Sequence, residues 1–521
     1  MIRAHTAAAV REAEEPLLAA GEPLMDRAAF ALATRVTAEL RGRGNRVPGS
    51  TVLLLVGGGN NGGDALLAGA RLARRGCQVH AALLGAAPHP AGLAAARAAG
   101  VRLHEVLDHP DVAAAVVALA RRAGVWVDAL TGIGARGPLR APLDGVAAAL
   151  ATERAASPDE PVVVAVDVPS GIGVDDGAVP GPVLPADVTV TMGTAKPGLL
   201  LPPASALAGR VEVVDLGLDG PLAAGAAPAV CRLQGTDVAD VWPVPAVGEH
   251  KYTRGVLGVV AGSQVYPGAA VLAVAGALRT GLGMVRYHGP EVPTALVHAR
   301  HPEAVTAPGR VQARVIGPGI DPGDVARARE MEDHLAAGLR AGTPTVLDAG
   351  ALTLLHDDTY PDLPATVVLT PHAGELAALL SARGEETTRA AVEAAPARHV
   401  RLAAEITGAT VLLKGATTVV AAPDGPLYAQ ADATPWLATA GAGDVLAGVL
   451  GALLAGYGDA LAADEIGEWA GLPACLAAAA ALVHGRAARL AAGQPGAGEP
   501  GAPITALDVA EALPAAVRSV L

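Results

Sequence analysis

Two short glycine-rich stretches carry polar residues that a hydrophobic core cannot use: GGGNNGGD at 57–64 and GAGD at 441–444. The first has the spacing G-x-G-x-x-G through Gly57, Gly59 and Gly62, directly after the apolar run TVLLLV. Glycines at a strand-to-helix turn let backbone N–H groups approach an anionic ligand, and the helix start adds the positive end of its dipole. Asn60, Asn61 and Asp64 crowd the same turn and point to ligand contacts. A dinucleotide dehydrogenase needs an acid at the end of the next strand to hold a ribose. QVHAALLGAAP has none, which disfavours that reading. VDALTGIGARGP places Asp128 at another strand end, and VAVDVPSGI places Asp167 and Ser170 at a third. Ligands of open parallel sheets sit beyond such ends, so these residues are expected in one site. Asn61, Asp128 and Ser170 are hard oxygen donors able to hold a cation.

GAGD opens a long apolar helix. The free amides of Gly441 and Gly443 could stabilise a phosphoryl group in transfer. Asp444 sits where it could take a proton from a substrate hydroxyl. The plainer alternative is a carboxylate that stabilises its own helix by about 0.3–1 kcal/mol. LLKGATTVV upstream favours chemistry: Lys414, Thr417 and Thr418 suit nucleotide phosphates, although no GxxxxGK[ST] loop is present. TPHAGE at 370–375 adds His372 and Glu375, and GPGID at 317–321 is a further strand-end turn.

The elements that must position these residues read as alternating β and α. Apolar runs at 51–56, 125–130, 162–166, 187–192 and 210–214 predict one parallel sheet covered on both faces. A second series runs through 256–260, 313–317, 345–348, 366–369, 409–413 and 417–421, followed by helices at 443–456 and 473–491. The aperiodic stretch GLDGPLAAGAAPA at 217–229 predicts the boundary, with domains at 1–220 and 235–521 and a linker at 221–234. The Gly/Pro tract at 493–503 predicts a surface loop. The fold class is α/β, as two three-layer α/β/α domains. Of the 521 residues 51% are hydrophobic, enough for large cores, yet only 2% are aromatic, so Ala, Val and Leu must fill them. A net charge of −13 without a basic stripe argues against a nucleic-acid partner. Apolar runs at 445–457 and 472–483 fall short of the ~20 residues of a membrane span and read as core helices. The N-terminus lacks a signal h-region, and Cys77, Cys231 and Cys475 are dispersed, which predicts reduced thiols in the cytoplasm.

At this point the motifs become specific. GGGNNGGD, VDALTGIG, AVDVPSGI and TAKPG together resemble the YjeF N-terminal family of NAD(P)H-hydrate epimerases, over roughly residues 5–220. The resemblance implies a Rossmann-like fold. It implies substrate contacts from Asn60, Asn61, Gly62, Gly63 and Asp64, and from Gly132, Ile133, Gly134, Ala135, Arg136, Gly137 and Pro138. Asp167 matches a catalytic, substrate-contacting carboxylate, and Asn61, Asp128 and Ser170 match potassium ligands. HKYTRGVLGVVAGS, GPGI, VLTPHAGE, LLKGATTVV and AGAGDVLAGVL resemble the ribokinase-like NAD(P)H-hydrate dehydratases, over roughly 235–520. That resemblance implies nucleotide contacts from Lys414, Gly415, Ala416, Thr417, Thr418 and Gly443. Ala270, Gly319, His372 and Asp444 match hydrate-binding positions, with Asp444 catalytic. ADP with Mg2+ is the implied co-substrate, and a homo-oligomer is expected. Three departures stand out: Ala65 where a Gly is usual, MDRAAF at 25–30 where a Gly commonly follows the Ala, and Gly350 in VLDAGAL where an Asp is usual.

The chain has three lysines, Lys196, Lys251 and Lys414, each inside one of these motifs, while Arg serves everywhere else. A compact ammonium differs from a guanidinium in shape and hydration, which suggests that these positions need it. The expected function is repair of hydrated NAD(P)H: epimerisation of the R and S hydrates, then ADP-dependent dehydration of the S form. A small-molecule kinase fused to a Rossmann-like regulatory domain is the alternative; a nucleotide-sensing or scaffold role for the first domain is a third reading.

Overall fold

The computed structural model describes the chain except residues 158–159, 358, 465–470 and 495–500. Of the tract expected as a surface loop, 495–500 therefore lie outside the described residues. Two compact units emerge: Arg3–Val230, and Cys231–Leu521 together with Met1–Ile2.

After β1 (Ile2–Ala4), the first unit contains β2 (Thr51–Val56), β3 (Gln78–Leu83), β4 (Arg102–Glu105), β5 (Val125–Ala129), β6 (Val162–Val166), β7 (Val188–Met192) and β8 (Arg210–Val214). They form a seven-stranded sheet in the order β4-β3-β2-β5-β6-β7-β8, with parallel pairing throughout. Its strands are apolar on both sides because both faces are covered. Val52, Leu54, Val127 and Val164 pack into one core, and Leu53, Leu55, Trp126 and Val163 into another. The chain runs outward from β2 through β3 to β4, then restarts at β5 in the other direction. The crevice between the ends of β2 and β5 is thus the topological switch point, where open sheets bind ligands.

The second unit contains β9 (Val230–Arg232), β10 (Val256–Val260), β11 (Met284–His288), β12 (Ala313–Ile316), β13 (Thr345–Leu347), β14 (Val367–Leu369), β15 (Thr410–Leu413), β16 (Thr418–Ala421) and β17 (Leu427–Gln430). With β1 they make a ten-stranded sheet ordered β1-β9-β17-β16-β15-β14-β13-β12-β10-β11. From β11 through β15 the pairing is parallel, but β16 and β17 are antiparallel. The short KGAT connection between β15 and β16 allows a hairpin, whereas a parallel crossover needs a dozen or more residues.

Three expectations need correction. The stretch read as aperiodic contains the helix Asp219–Gly225, and the expected linker contains β9; Ala and Leu supply helix propensity there despite the glycines. The helix after β2 begins at Gly59, so NNGGD forms its first turns and is not a loop before it. Leu472–Ala491 is one helix of 20 residues, long and apolar enough to cross a membrane by length and composition. It is mostly buried in the core of the second unit.

Glycines set the closest approaches. A Cβ on Gly276 would overlap the Val445 carbonyl oxygen, and one on Gly448 would overlap that of Ala273. These reciprocal gaps let Pro267–Thr280 and Ala442–Gly456 pack backbone against backbone. The start of the GAGD helix is thereby fixed beside the helix that carries Ala270.

Candidate functional sites

At the switch point of the first unit lies a cavity of about 620 Å³. Asn60, Asn61, Asp64, Gly132, Ile133, Gly134, Ala135 and Asp167 line it, as the sequence led one to expect. Gly62, Gly63, Arg136, Gly137 and Pro138 are not among its lining residues. The motif glycines have packing duties instead. A Cβ on Gly57 would overlap the Leu130 carbonyl oxygen, one on Gly62 would overlap that of Gly57, and one on Gly63 would come within 2.9 Å of the His89 ring. Arg11 and Glu14, from the helix Ala7–Ala19, also line the cavity and were not foreseen. Their only sequence signal was a charged N-terminal helix, which is common on any surface.

Asp167 has φ 67°, in the left-handed region. A non-glycine residue there costs about 1–3 kcal/mol and persists only where its surroundings hold it. They do: its N–H donates to Val190 O (2.7 Å), and its Oδ1 accepts from Met192 N–H (3.0 Å), Thr191 Oγ1 (3.1 Å) and Lys196 Nζ. The Lys196 ammonium is fully buried and also donates to Thr191 Oγ1 (3.0 Å) and Met192 O (2.8 Å). The donors to the Asp167 carboxylate all converge on Oδ1, so among the described residues Oδ2 remains for a ligand. Asp64 is the opposite case. Its Oδ1 is buried with no hydrogen-bond partner among the described residues. Burial, and then the charges of Asp167 and Glu14, push its carboxyl well above the usual range. Burial also raises Glu14, with the Lys196 charge opposing.

Beneath the cavity Asp128 is completely buried. Its Oδ1 accepts from Ser170 Oγ (2.6 Å) and Leu130 N–H (3.3 Å), and its Oδ2 from Ser170 N–H (2.8 Å). Burial raises its carboxyl despite these bonds. Asn61 Nδ2 donates to the carbonyls of Thr131 (2.8 Å) and Val166 (3.1 Å), and Thr131 Oγ1 is buried without a partner among the described residues. Asn61, Asp128 and Ser170 are therefore brought together. Among the described residues Asp128 accepts only from neutral donors, and an oxygen-rich cluster of this kind is chemically suited to a hard cation.

In the second unit, the N-terminus of the helix Ala442–Gly456 meets the ends of β13, β14 and β15. Gly441 is in the left-handed region (φ 87°), which turns the chain into the helix. Lys414 Nζ bonds Asp348 Oδ1 (2.8 Å), lies 3.8 Å from Glu375, and would sit 3.3 Å from a Cβ on Gly443. Burial would lower the Lys414 amine, but the charges of Asp348, Glu375 and Asp444 outweigh it and raise it. Asp444 is pushed up to about 7, first by burial and then by the Asp348 charge, with Lys414 opposing. His372 caps the helix Ala373–Ala382: its Nδ1 accepts from the N–H groups of Gly374 (3.0 Å) and Glu375 (3.1 Å). Only Nε2, 3.5 Å from Glu375, is left for a ligand. Gly415 and Ala416 are exposed, Thr417 and Thr418 half-buried. Gly319 is left-handed (φ 63°), and a Cβ there would come within 2.8 Å of Tyr266 O, next to the helix of the buried Ala270. Asp348, directly after β13, was not among the expected site residues; its one signal in the sequence was its place at a strand end in VLDAGAL.

Two α/β units, one with a carboxylate–lysine cavity and one with an acid at a glycine-rich helix start, define an enzyme with two separate chemical sites. Residues 257–508 match the family model described as NAD(P)H-hydrate dehydratase, and residues 21–198 that of the YjeF-related protein N-terminus. The bifunctional NAD(P)H-hydrate repair enzyme of Mycobacterium leprae is 42% identical over 507 residues, 95% of each chain. The NAD(P)H-hydrate epimerase of Clavibacter michiganensis is 48% identical over 229 residues, 43% of this chain and 94% of the epimerase. Among solved structures, the ADP/ATP-dependent NAD(P)H-hydrate dehydratase of Bacillus subtilis, co-crystallised with ATP and Mg2+, is 28% identical. It covers 55% of this chain and 98% of its own, with a TM-score of 0.45. The chain belongs to the family of bifunctional NAD(P)H-hydrate repair enzymes.

Proposed function

We propose that the first unit epimerises the hydrates of NADH and NADPH and that the second dehydrates the S epimer with ADP, releasing AMP and phosphate. One observation carries the reading: each unit sets a carboxylate and a lysine at the carboxyl edge of its sheet, Asp167 with Lys196 and Asp444 with Lys414. In the second site Asp444 removes the proton from the hydrate hydroxyl as that oxygen attacks the terminal phosphoryl group of the nucleotide. Lys414 and the amides of the GAGD turn stabilise the charge that develops. Phosphate then leaves, assisted by the ring-nitrogen lone pair. Mg2+ arrives with the nucleotide, and an acid-rich site with one ammonium suits a metal-bearing co-substrate.

In the first site Asp167 Oδ2 takes the proton of the hydrate hydroxyl as the bond from that carbon to the ring nitrogen opens, leaving an aldehyde and the electron pair on nitrogen. The nitrogen then re-adds to the other face of the carbon and the proton returns to the oxygen, while Lys196 holds Oδ1 and keeps the carboxylate oriented. A potassium ion held by Asn61, Asp128 and Ser170 would supply positive charge under the cavity floor. Three free cysteines are in keeping with a cytoplasmic setting. The test is incubation of the chain with hydrated NADH and either ADP or ATP, following the return of reduced-nicotinamide absorbance. Asp444→Ala is expected to abolish dehydration and leave epimerisation intact. Normal dehydration by that variant would remove Asp444 from its role. A phosphorylated product that accumulates without elimination would favour the kinase alternative.

A further inference from the structure

The dehydratase site contains a buried charged group with no role so far. Asp348 directly follows β13 and is 1% exposed. Its backbone is fixed on both sides: its N–H donates to Ile316 O (3.0 Å), and the next residue, Ala349, is a non-glycine at φ 47°. Its Oδ1 accepts from two donors, Thr370 Oγ1 (2.8 Å) and Lys414 Nζ (2.8 Å). Thr370 is itself buried at the end of β14, and Lys414 follows β15. One carboxylate oxygen therefore ties together the ends of three adjacent strands. It does so directly under the ammonium that faces Gly443.

We propose that Asp348 is the positioning residue of the phosphoryl-transfer site, holding the Lys414 ammonium against the Gly443 backbone where the terminal phosphate of the nucleotide is transferred. The inference rests on the nucleotide-dependent dehydration proposed above and adds to it the group that aims the cation. A lysine on a flexible stem has no preferred direction of its own, and burial disfavours its charge. Asp348 answers both needs: it bonds Nζ and is the leading favourable charge on Lys414. The same carboxylate acts on Asp444, where its charge adds to burial in raising the proton affinity. The charged or titratable groups around Asp444 and Lys414 are Asp348, Glu375 and, 3.5 Å from Glu375, His372. Asp348 and Lys414 pull Asp444 in opposite directions, which gives their removal opposite signatures.

The experiment compares Asp348→Asn and Lys414→Met in the full chain, with hydrated NADH and ADP, across pH. Both are expected to raise the KM for ADP by about tenfold or more, since each removes one partner of a buried ion pair. The acidic limb of the dehydration rate should move to lower pH in Asp348→Asn and to higher pH in Lys414→Met, by roughly one unit each. A residue that only supported the fold would not produce this split. Epimerisation by the same preparations reports on the first unit alone. If Asp348→Asn loses the folding transition of the second unit, Thr370→Val, which removes the other anchor of Asp348, should still raise the KM for ADP. An unchanged KM for ADP in either folded variant, or limbs that move in the same direction, would overturn the proposal. If the wild-type chain restores no nicotinamide absorbance with any nucleotide, the functional reading fails instead.

Discussion

The ammonium of Lys196, wholly enclosed, is bonded to Oδ1 of Asp167, the same carboxylate oxygen that accepts from Thr191 Oγ1 and Met192 N–H. Three donors thus orient one carboxylate whose own backbone is strained. Lys196→Met leaves a buried carboxylate and a left-handed backbone without their main support. Breaking such a pair costs about 3–5 kcal/mol. The first unit should melt earlier by that amount, and epimerisation should fall by two orders of magnitude or more, while dehydration of the pure S epimer persists. Lys196→Arg should not rescue, because a planar guanidinium does not fit a site that bonds Thr191 Oγ1, Met192 O and Asp167 at once. Melting and the two rates, measured on one preparation, check all three points.

Dehydration should depend on pH through Asp444. Its carboxyl is pushed up to about 7 by burial and the Asp348 charge. A base works when ionised, so kcat/KM should fall about tenfold per unit below pH 7 and level off above it. An ordinary aspartate would give a flat profile down to about pH 4. A limb near 4 in the free enzyme would show that the site holds Asp444 differently from its surroundings here.

The cation cradle predicts ion dependence in one reaction only. Asp128 is buried, and among the described residues no cationic side chain is bonded to it. Asp128→Asn keeps the shape and removes the charge, so a monovalent ion would lose its principal attraction. Epimerisation by the wild type should rise with potassium at constant ionic strength, and that response should vanish in Asp128→Asn. Dehydration of the S epimer should be indifferent to the change. A potassium response that survives in the variant would separate Asp128 from the ion.

Motif positions in the sequence showed which residues gather at the strand ends, because parallel sheets send those ends to one edge. Asn61, Asp128, Asp167 and Ser170 were legible for that reason, as were Lys414 and Asp444. What stayed hidden was set by contacts between distant segments. Gly57 and Gly62 look like ligand-approach glycines but make room for the carbonyls of Leu130 and Gly57. Arg11 and Glu14 enter the cavity from a helix whose docking no local pattern announces. The short strands β9 and β17 have too few residues for a period to show, and the hairpin β16–β17 breaks the parallel rule that the preceding strands obey.

Gly350 is one of the departures from the family motifs, and its surroundings decide what restoring the usual acid would do. A Cβ at 350 would overlap the Ile320 carbonyl oxygen and lie 3.5 Å from Pro322 Cδ. The loop holding Gly319 therefore occupies the space an aspartate would need, and it is held there: Ile320 N–H donates to Gly317 O (3.0 Å), and Gly317 and Gly319 are both left-handed. Gly350→Asp should thus destabilise the second unit by about 1–3 kcal/mol, the usual range for overpacking. The displaced Gly319 turn is one of the proposed hydrate contacts, so the KM for the S epimer should rise while that for ADP changes little. Gly350→Ala, which adds the Cβ without the carboxylate, should show most of the same loss; a stable, fully active Gly350→Asp would mean that the turn yields and that the missing acid had left an empty place.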